Sequence, residues 1–267
     1  MPDGAILYTR TDAVAVVTLN DPERLNPVTE ALCLALLDVL AEVRRDKRVR
    51  ALLLTAAGRL FSAGGDLNSS AFHGARGSRG ARTAENLRRR TTPLIAGLRE
   101  LPVPIVVGLN GGVSGGGVGL ALAGDVLLAA RSAYFHLPFI RKLGIVPDYG
   151  ATWFLERRLG QFRALALALT GERLPAEKAE QWGLVHACVD DDALPQAALA
   201  MARQLARLPA HGVREARAAF DAARRNDLRT QLDYEADRQR ELLDLPTLDE
   251  GVAAFFEKRE PAFPPRD

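Results

Sequence analysis

Two glycine-rich turns have residue types and spacing suited to carbonyl chemistry. Phe61-Ser62-Ala63-Gly64-Gly65-Asp66-Leu67 follows the apolar run Ala51–Thr55, and Asn110-Gly111-Gly112-Val113-Ser114-Gly115-Gly116-Gly117 follows Pro104–Leu109. Small residues let backbone N–H groups approach a ligand that a larger side chain would hold off. Two N–H groups aimed at one oxygen form an oxyanion hole, and a helix N-terminus behind one of them adds positive potential. The second turn opens into the helix-like run Val118–Ala123. Stabilisation of an enolate is the chemistry such equipment serves.

The same residues admit other readings. The second turn lacks the Gly-Lys-Ser/Thr ending of a phosphate-binding loop, and Gly115-Gly116-Gly117-Val118-Gly119 does not give the dinucleotide fingerprint in register. Gly112-Val113-Ser114-Gly115-Gly116 does match a nucleophile elbow, with Asp190–Asp192 and His211 in hydrolase order, but that reading leaves the first turn unexplained. Close helix–strand packing is the purely structural alternative.

The elements that must position these turns alternate along the chain. Val14–Leu19, Ala51–Thr55, Pro104–Leu109, Val126–Ala130, Tyr134–Leu137 and Leu184–Val189 read as strands. Asn26 before Pro27 reads as a helix cap followed by a first-turn proline. Leu32, Leu36, Val39, Leu40 and Val43 then recur at helical spacing, and Arg44-Arg45 suit the helix C-terminus. Beyond Pro195 the chain is helical in character, with breaks near Pro209–Gly212, Asn226-Asp227 and Pro246-Thr247. The expectation is an α/β core over residues 1–194 and a helical region over 195–267 that packs on the core or on a neighbouring subunit.

The motifs together resemble the crotonase superfamily, the enoyl-CoA hydratase/isomerase family. The likeness rests on Leu19–Pro27, both glycine turns, Leu122-Ala123-Gly124-Asp125, Gly144-Ile145-Val146-Pro147-Asp148, Ala176–Val185 and Phe256-Glu257-Lys258-Arg259. It implies a spiral of ββα turns capped by C-terminal helices and assembled as a trimer or a dimer of trimers. It also implies an acyl-CoA substrate, with coenzyme A as part of that substrate and no separate cofactor. The Gly65 and Gly116 N–H groups would form the oxyanion hole. Ala63, Asp66 and Leu67 would border the pantetheine and adenine path, Arg24 would meet nucleotide phosphates, and Phe255 and Lys258 would reach CoA across a subunit boundary.

Departures from the family pattern narrow the chemistry. Hydratases hold a water between two glutamates, whose places fall on Gly119 and Phe139, and no acid lies anywhere in 135–141. Asp148 is the nearest remaining carboxylate. It matches the aspartate of dienoyl-CoA isomerases, of the 4-chlorobenzoyl-CoA dehalogenase and of the ring-opening epoxyphenylacetyl-CoA isomerase. The first of these adds a glutamate where Ile140 stands here. The second carries a tryptophan at that place and a histidine at the place of Thr92. The third uses one aspartate alone and is the best match. Ile145, Val146, Pro147, Tyr149 and Trp153 are apolar neighbours that would raise the carboxyl pKa and make Asp148 a better base. Its alternative role is to cap a helix beginning near Ala151.

Bulk properties set outer bounds. A 267-residue chain with 48% apolar and 25% charged residues is an ordinary globular composition, and neither a membrane span nor a signal peptide is expected. A net charge of +2 is too small to argue for a nucleic-acid partner, and none is expected. Arg76, Arg79, Arg82, Arg88, Arg89 and Arg90 crowd residues 75–92, where a solvated loop leading into a helix is expected. Cys33 and Cys188 read as buried thiols in a reducing cytoplasm, and the scattered histidines give no metal-ligand spacing.

Overall fold

The computed structural model describes residues 4–68, 73 and 77–266. Its strands are β1 (Ile6–Thr11), β2 (Val14–Leu19), β3 (Pro27–Val28), β4 (Ala51–Ala56), β5 (Leu60–Ser62), β6 (Gly64–Gly65), β7 (Ile105–Leu109), β8 (Gly112–Ser114), β9 (Val126–Ala130), β10 (Tyr134–His136), β11 (Arg173–Pro175) and β12 (Ala187–Val189). Among the described residues they form a six-stranded sheet in the order β1-β2-β4-β7-β9-β12, a four-stranded sheet β11-β10-β8-β5 and the pair β3-β6. β2, β4, β7, β9 and β12 run parallel, with β1 antiparallel at the edge. Parallel strands covered on both faces read as continuous apolar runs, and β7 is buried at every residue.

The chain repeats one path. β4, β7 and β9 enter the large sheet, and β5, β8 and β10 then cross to the small one. The helices Arg79–Asn86, Gly116–Leu122 and Ala151–Thr170 follow these three pairs. This is the expected spiral of ββα turns in an α/β fold. Because each turn stacks on the last, the ends of β6 and β8 lie side by side. Those ends are the two glycine turns.

Two local expectations are corrected. Asn26 does not cap a helix: it is 1% exposed in a left-handed conformation (φ 51°), and its amide donates to the carbonyls of Ala57 and Leu60, each at 2.9 Å. Pro27–Val28 is consequently a strand, and the helix Glu30–Arg45 starts after Thr29, whose hydroxyl accepts from the Leu32 N–H at 3.1 Å. The arginine-rich segment is also more ordered than a solvated loop. Residues 79–86 are helical and continue through a π-helical turn at Leu87–Thr91 into the helix Thr92–Arg99, while Arg76 lies outside the described residues.

C-terminal helices follow the expected breaks, at Leu194–Leu205, Gly212–Ala223, Leu228–Leu242 and Pro246–Glu257. The helix Gly212–Ala223 is tied to the core through Arg217, which donates to Asp125 Oδ1 at 2.8 Å and to the carbonyls of Arg99, Leu101 and Val103 at 3.0, 2.6 and 3.3 Å. Its side chain is only 11% exposed. Arg217→Ala leaves Asp125 and three carbonyls short of donors, and urea unfolding is expected to show a loss of about 3 kcal/mol. No helix of the described residues is long and apolar enough to cross a membrane.

Candidate active site

The two glycine turns touch. A Cβ on Gly64 would lie 2.8 Å from the Ser114 carbonyl oxygen, and one on Gly115 would lie 3.5 Å from Gly64 Cα and 3.9 Å from Gly65 N. Gly64 (φ 95°) and Gly115 (φ 53°) both need the left-handed region, so glycine is required there on two grounds. Gly116 follows as the first residue of its helix, where the N–H has no intrahelical carbonyl to meet.

Gly65 opens onto a cavity of about 640 Å³ whose wall also includes Arg24, Asp66, Arg90, Asp148 and Tyr149. Nothing lies within 4 Å of where a Gly65 Cβ would sit. Gly116 is set behind this wall, because the Tyr149 ring occupies the space its Cβ would take, at 2.7 Å. The structure therefore brings Asp148, Gly65, Arg24 and Asp66 onto one cavity. Ala63, Leu67, Phe255 and Lys258 are not among the described residues on its wall. Arg24 is ion-paired with Asp66 at 2.9 Å and with Asp21 at 3.3 Å, so two expected binding residues meet each other at this cavity. Phe255 is 78% exposed on the last helix, packed edge-to-face against Phe256, and Lys258 ends that helix in a left-handed turn.

Asp148 does not cap the helix behind it. That helix starts at Ala151 after Gly150, and no side chain accepts from its first turn. Asp148 Oδ1 is instead buried without a hydrogen-bond partner among the described residues. Desolvation pushes the carboxyl up to about 6, against a weaker opposing hydrogen bond from its own backbone N–H. The upward direction is the one expected from apolar surroundings, and of the chain neighbours named from sequence Tyr149 shares the cavity wall with Asp148. Ile145, Val146 and Trp153 are 46%, 73% and 39% exposed.

Tyr149, read from sequence only as an apolar neighbour, organises that segment. It adopts φ 52° immediately before Gly150 at φ 74°, a tight reversal that presents Asp148. Its hydroxyl lies against the Cys33 thiol, and burial pushes both groups up, Cys33 to about 11. Its carbonyl oxygen is 2.1 Å from the place a Gly119 Cβ would occupy. The place at which the family resemblance sets the first hydratase glutamate, Gly119, is thus closed by the Tyr149 backbone. The second, Phe139, is 5% exposed and belongs to the core.

A second cavity of about 460 Å³ adjoins the first through Leu87 and Tyr149 and is lined by Ile95, Trp153 and Phe154. Ser114 bonds to His136, Oγ to Nδ1 at 3.2 Å, rather than to His211. Neither residue lines these two cavities, so the elbow motif has no access to them. Of the arginine-rich segment, Arg82, Arg89 and Arg90 face the larger cavity, and Arg90 pairs with Glu30 and Asn86.

Known proteins with this arrangement agree in kind. The sequence matches the Enoyl-CoA hydratase/isomerase family over residues 9–266. It is 43% identical over 250 residues to the 1,2-epoxyphenylacetyl-CoA isomerase of Escherichia coli K12, covering 94% of each chain. It is 38% identical to a Rhodobacter capsulatus protein named "Probable enoyl-CoA hydratase", covering 97% of each. The solved enoyl-CoA hydratase of Bacillus anthracis superposes with a TM-score of 0.87 at 31% identity, over 97% of this chain and 98% of that one. With paired glycine turns on a ββα spiral and a match spanning nearly its whole length, the chain belongs to the enoyl-CoA hydratase/isomerase family.

Proposed function

We propose that the protein is an acyl-CoA isomerase that moves a double bond through a dienolate, with Asp148 as its single acid–base group. The observation that carries this reading is the buried, unpartnered Asp148 Oδ1 on the same cavity as Gly65, in a site whose two hydratase glutamate positions are Gly119 and Phe139. The thioester oxygen would accept from the N–H groups of Gly65 and Gly116, each worth about 3 kcal/mol of barrier. Asp148 would take a proton from C2 of a 3-enoyl-CoA and return it at C4, leaving the 2-enoyl thioester. One carboxylate can do both transfers, whereas hydration needs a second group to hold water. The similarity to an isomerase adds support.

The reading extends to assembly. Phe255 and Lys258 are exposed and absent from their own cavity wall, so a neighbouring copy would supply them to CoA in a cytoplasmic trimer or dimer of trimers. No separate cofactor is required.

The test is product analysis on the wild-type protein with a 3-enoyl-CoA and, separately, a 2-enoyl-CoA. Conversion of the first to the 2-enoyl thioester is expected. Rapid formation of 3-hydroxyacyl-CoA from the second would replace this reading with hydration.

A further inference from the structure

Two largely apolar cavities meet at Arg99, the second of them edged as well by Asp125, Arg158, Arg217 and Asp221. Arg99 lines the 460 Å³ cavity with Ile95 and Trp153, and it also lines a separate cavity of about 640 Å³ with Val126, Leu205, Val213 and Phe220. The side chain is held in that position. Its guanidinium is ion-paired with Asp125 at 3.5 Å and with Asp221 at 3.7 Å, and it stands 6.0 Å from the centroid of the Trp153 ring. Asp125 is itself fixed by Arg217. A hydrocarbon chain running from Asp148 past Tyr149 and Trp153 would therefore meet a tethered charge before it could enter the space beside Phe220.

We infer that Arg99 is the end wall of the acyl pocket and sets the length of acyl group that the enzyme accepts. The inference rests on the acyl-CoA reading above and adds the limit that reading lacks. Burying a guanidinium against a methylene chain without its carboxylate partners is costly, so the wall does not yield to a longer substrate. Each methylene moved from water into an apolar cavity is worth about four-fold in binding. Affinity should climb with chain length until the tail reaches Arg99 and then level off, and removal of the wall should restore the climb.

Binding of hexanoyl-, decanoyl- and tetradecanoyl-CoA, measured by calorimetry on wild type, Arg99→Ala and Arg99→Lys, tests this. These saturated esters need no turnover, so the result is independent of the isomerase chemistry. Wild type is expected to plateau within the series. Arg99→Ala should improve tetradecanoyl-CoA relative to hexanoyl-CoA by at least about ten-fold, while Arg99→Lys keeps the plateau. Affinity that rises without a plateau in wild type overturns the inference even if Arg99→Ala fails to fold. Parallel length profiles for wild type and Arg99→Ala also overturn it. Failure of every ester to bind would instead remove the acyl-CoA reading itself.

Discussion

Asp148→Asn is expected to lower kcat for double-bond migration by about 10²- to 10⁴-fold, the range that a positioned general base contributes. Asparagine keeps the size and shape of the side chain but cannot accept the C2 proton. Binding of the thioester should change little, because the CoA path and the glycine turns are untouched, so the loss belongs in kcat rather than KM. The pH profile supplies a second readout. Burial holds the Asp148 carboxyl at about 6, and only its ionised form is a base. Wild-type kcat/KM should therefore rise with pH through about 6 and level off above 7, falling by about ten-fold for each pH unit below the inflection. A profile with its inflection near the ordinary carboxyl value would mean that another group takes the proton.

The same burial makes a stability prediction with a definite sign. Asp148 is protonated more readily in the folded chain than in the unfolded one, so the stabilising, neutral state is fully present below about 3.8 and is lost as pH rises through about 6. The gap between 3.8 and about 6 corresponds to about 3 kcal/mol when the carboxylate is fully ionised. Asparagine brings its own desolvation cost, which does not vary with pH. What should change is the difference between variant and wild type: Asp148→Asn gains up to about 3 kcal/mol relative to wild type between acid pH and pH 8. Urea midpoints at several pH values measure it. A pH-independent difference would mean the carboxyl is not held neutral by its surroundings.

These expectations show where sequence was informative. β7 and β9 are uninterrupted apolar runs whose bounds follow closely from composition, because burial on both faces leaves little place for polar residues. The edge strand β1 carries Thr9, Arg10 and Thr11 and has no such signature. β3, β6 and β8 were not legible, since strands of two or three residues have no period to detect and exist only because a neighbouring turn of the spiral offers them a partner. The capping pattern at Asn26 fails for a related reason. Its amide bonds to Ala57 and Leu60, residues remote in sequence, and a local capping pattern cannot reveal such partners. At the candidate site, the absence of an acid from 135–141 singles out Asp148, which lies on the same cavity as Gly65. The role of Tyr149 depends on a positive φ in a residue that rarely adopts one, and on contacts with Gly116 and Gly119. Those partners are remote in sequence and leave no local signal.

Gly119→Glu is expected to abolish activity rather than create a hydratase. A Cβ at this position would fall 2.1 Å from the Tyr149 carbonyl oxygen and 2.7 Å from its carbonyl carbon and Cβ, all atoms of the backbone or its immediate stub. None can rotate away. The segment must translate, and it carries Asp148 one residue before the contact. Displacement of a reacting group by about 1 Å can cost 100-fold, so Gly119→Ala alone should lower kcat by about that factor and destabilise the fold by about 1–3 kcal/mol. The glutamate adds a buried carboxylate to the same clash, and the loss in stability should be larger. Reinstating the family's two acids together as Gly119→Glu and Phe139→Glu should fail for the same reason, because the space for the first was given to Tyr149. Melting curves and product analysis with a 2-enoyl-CoA decide the matter. A stable Gly119→Glu protein that forms 3-hydroxyacyl-CoA would mean that the Tyr149 turn is plastic and that only the missing carboxylates separate this site from hydration. Loss of both stability and isomerisation would mean that the commitment to a single acid is built into the backbone.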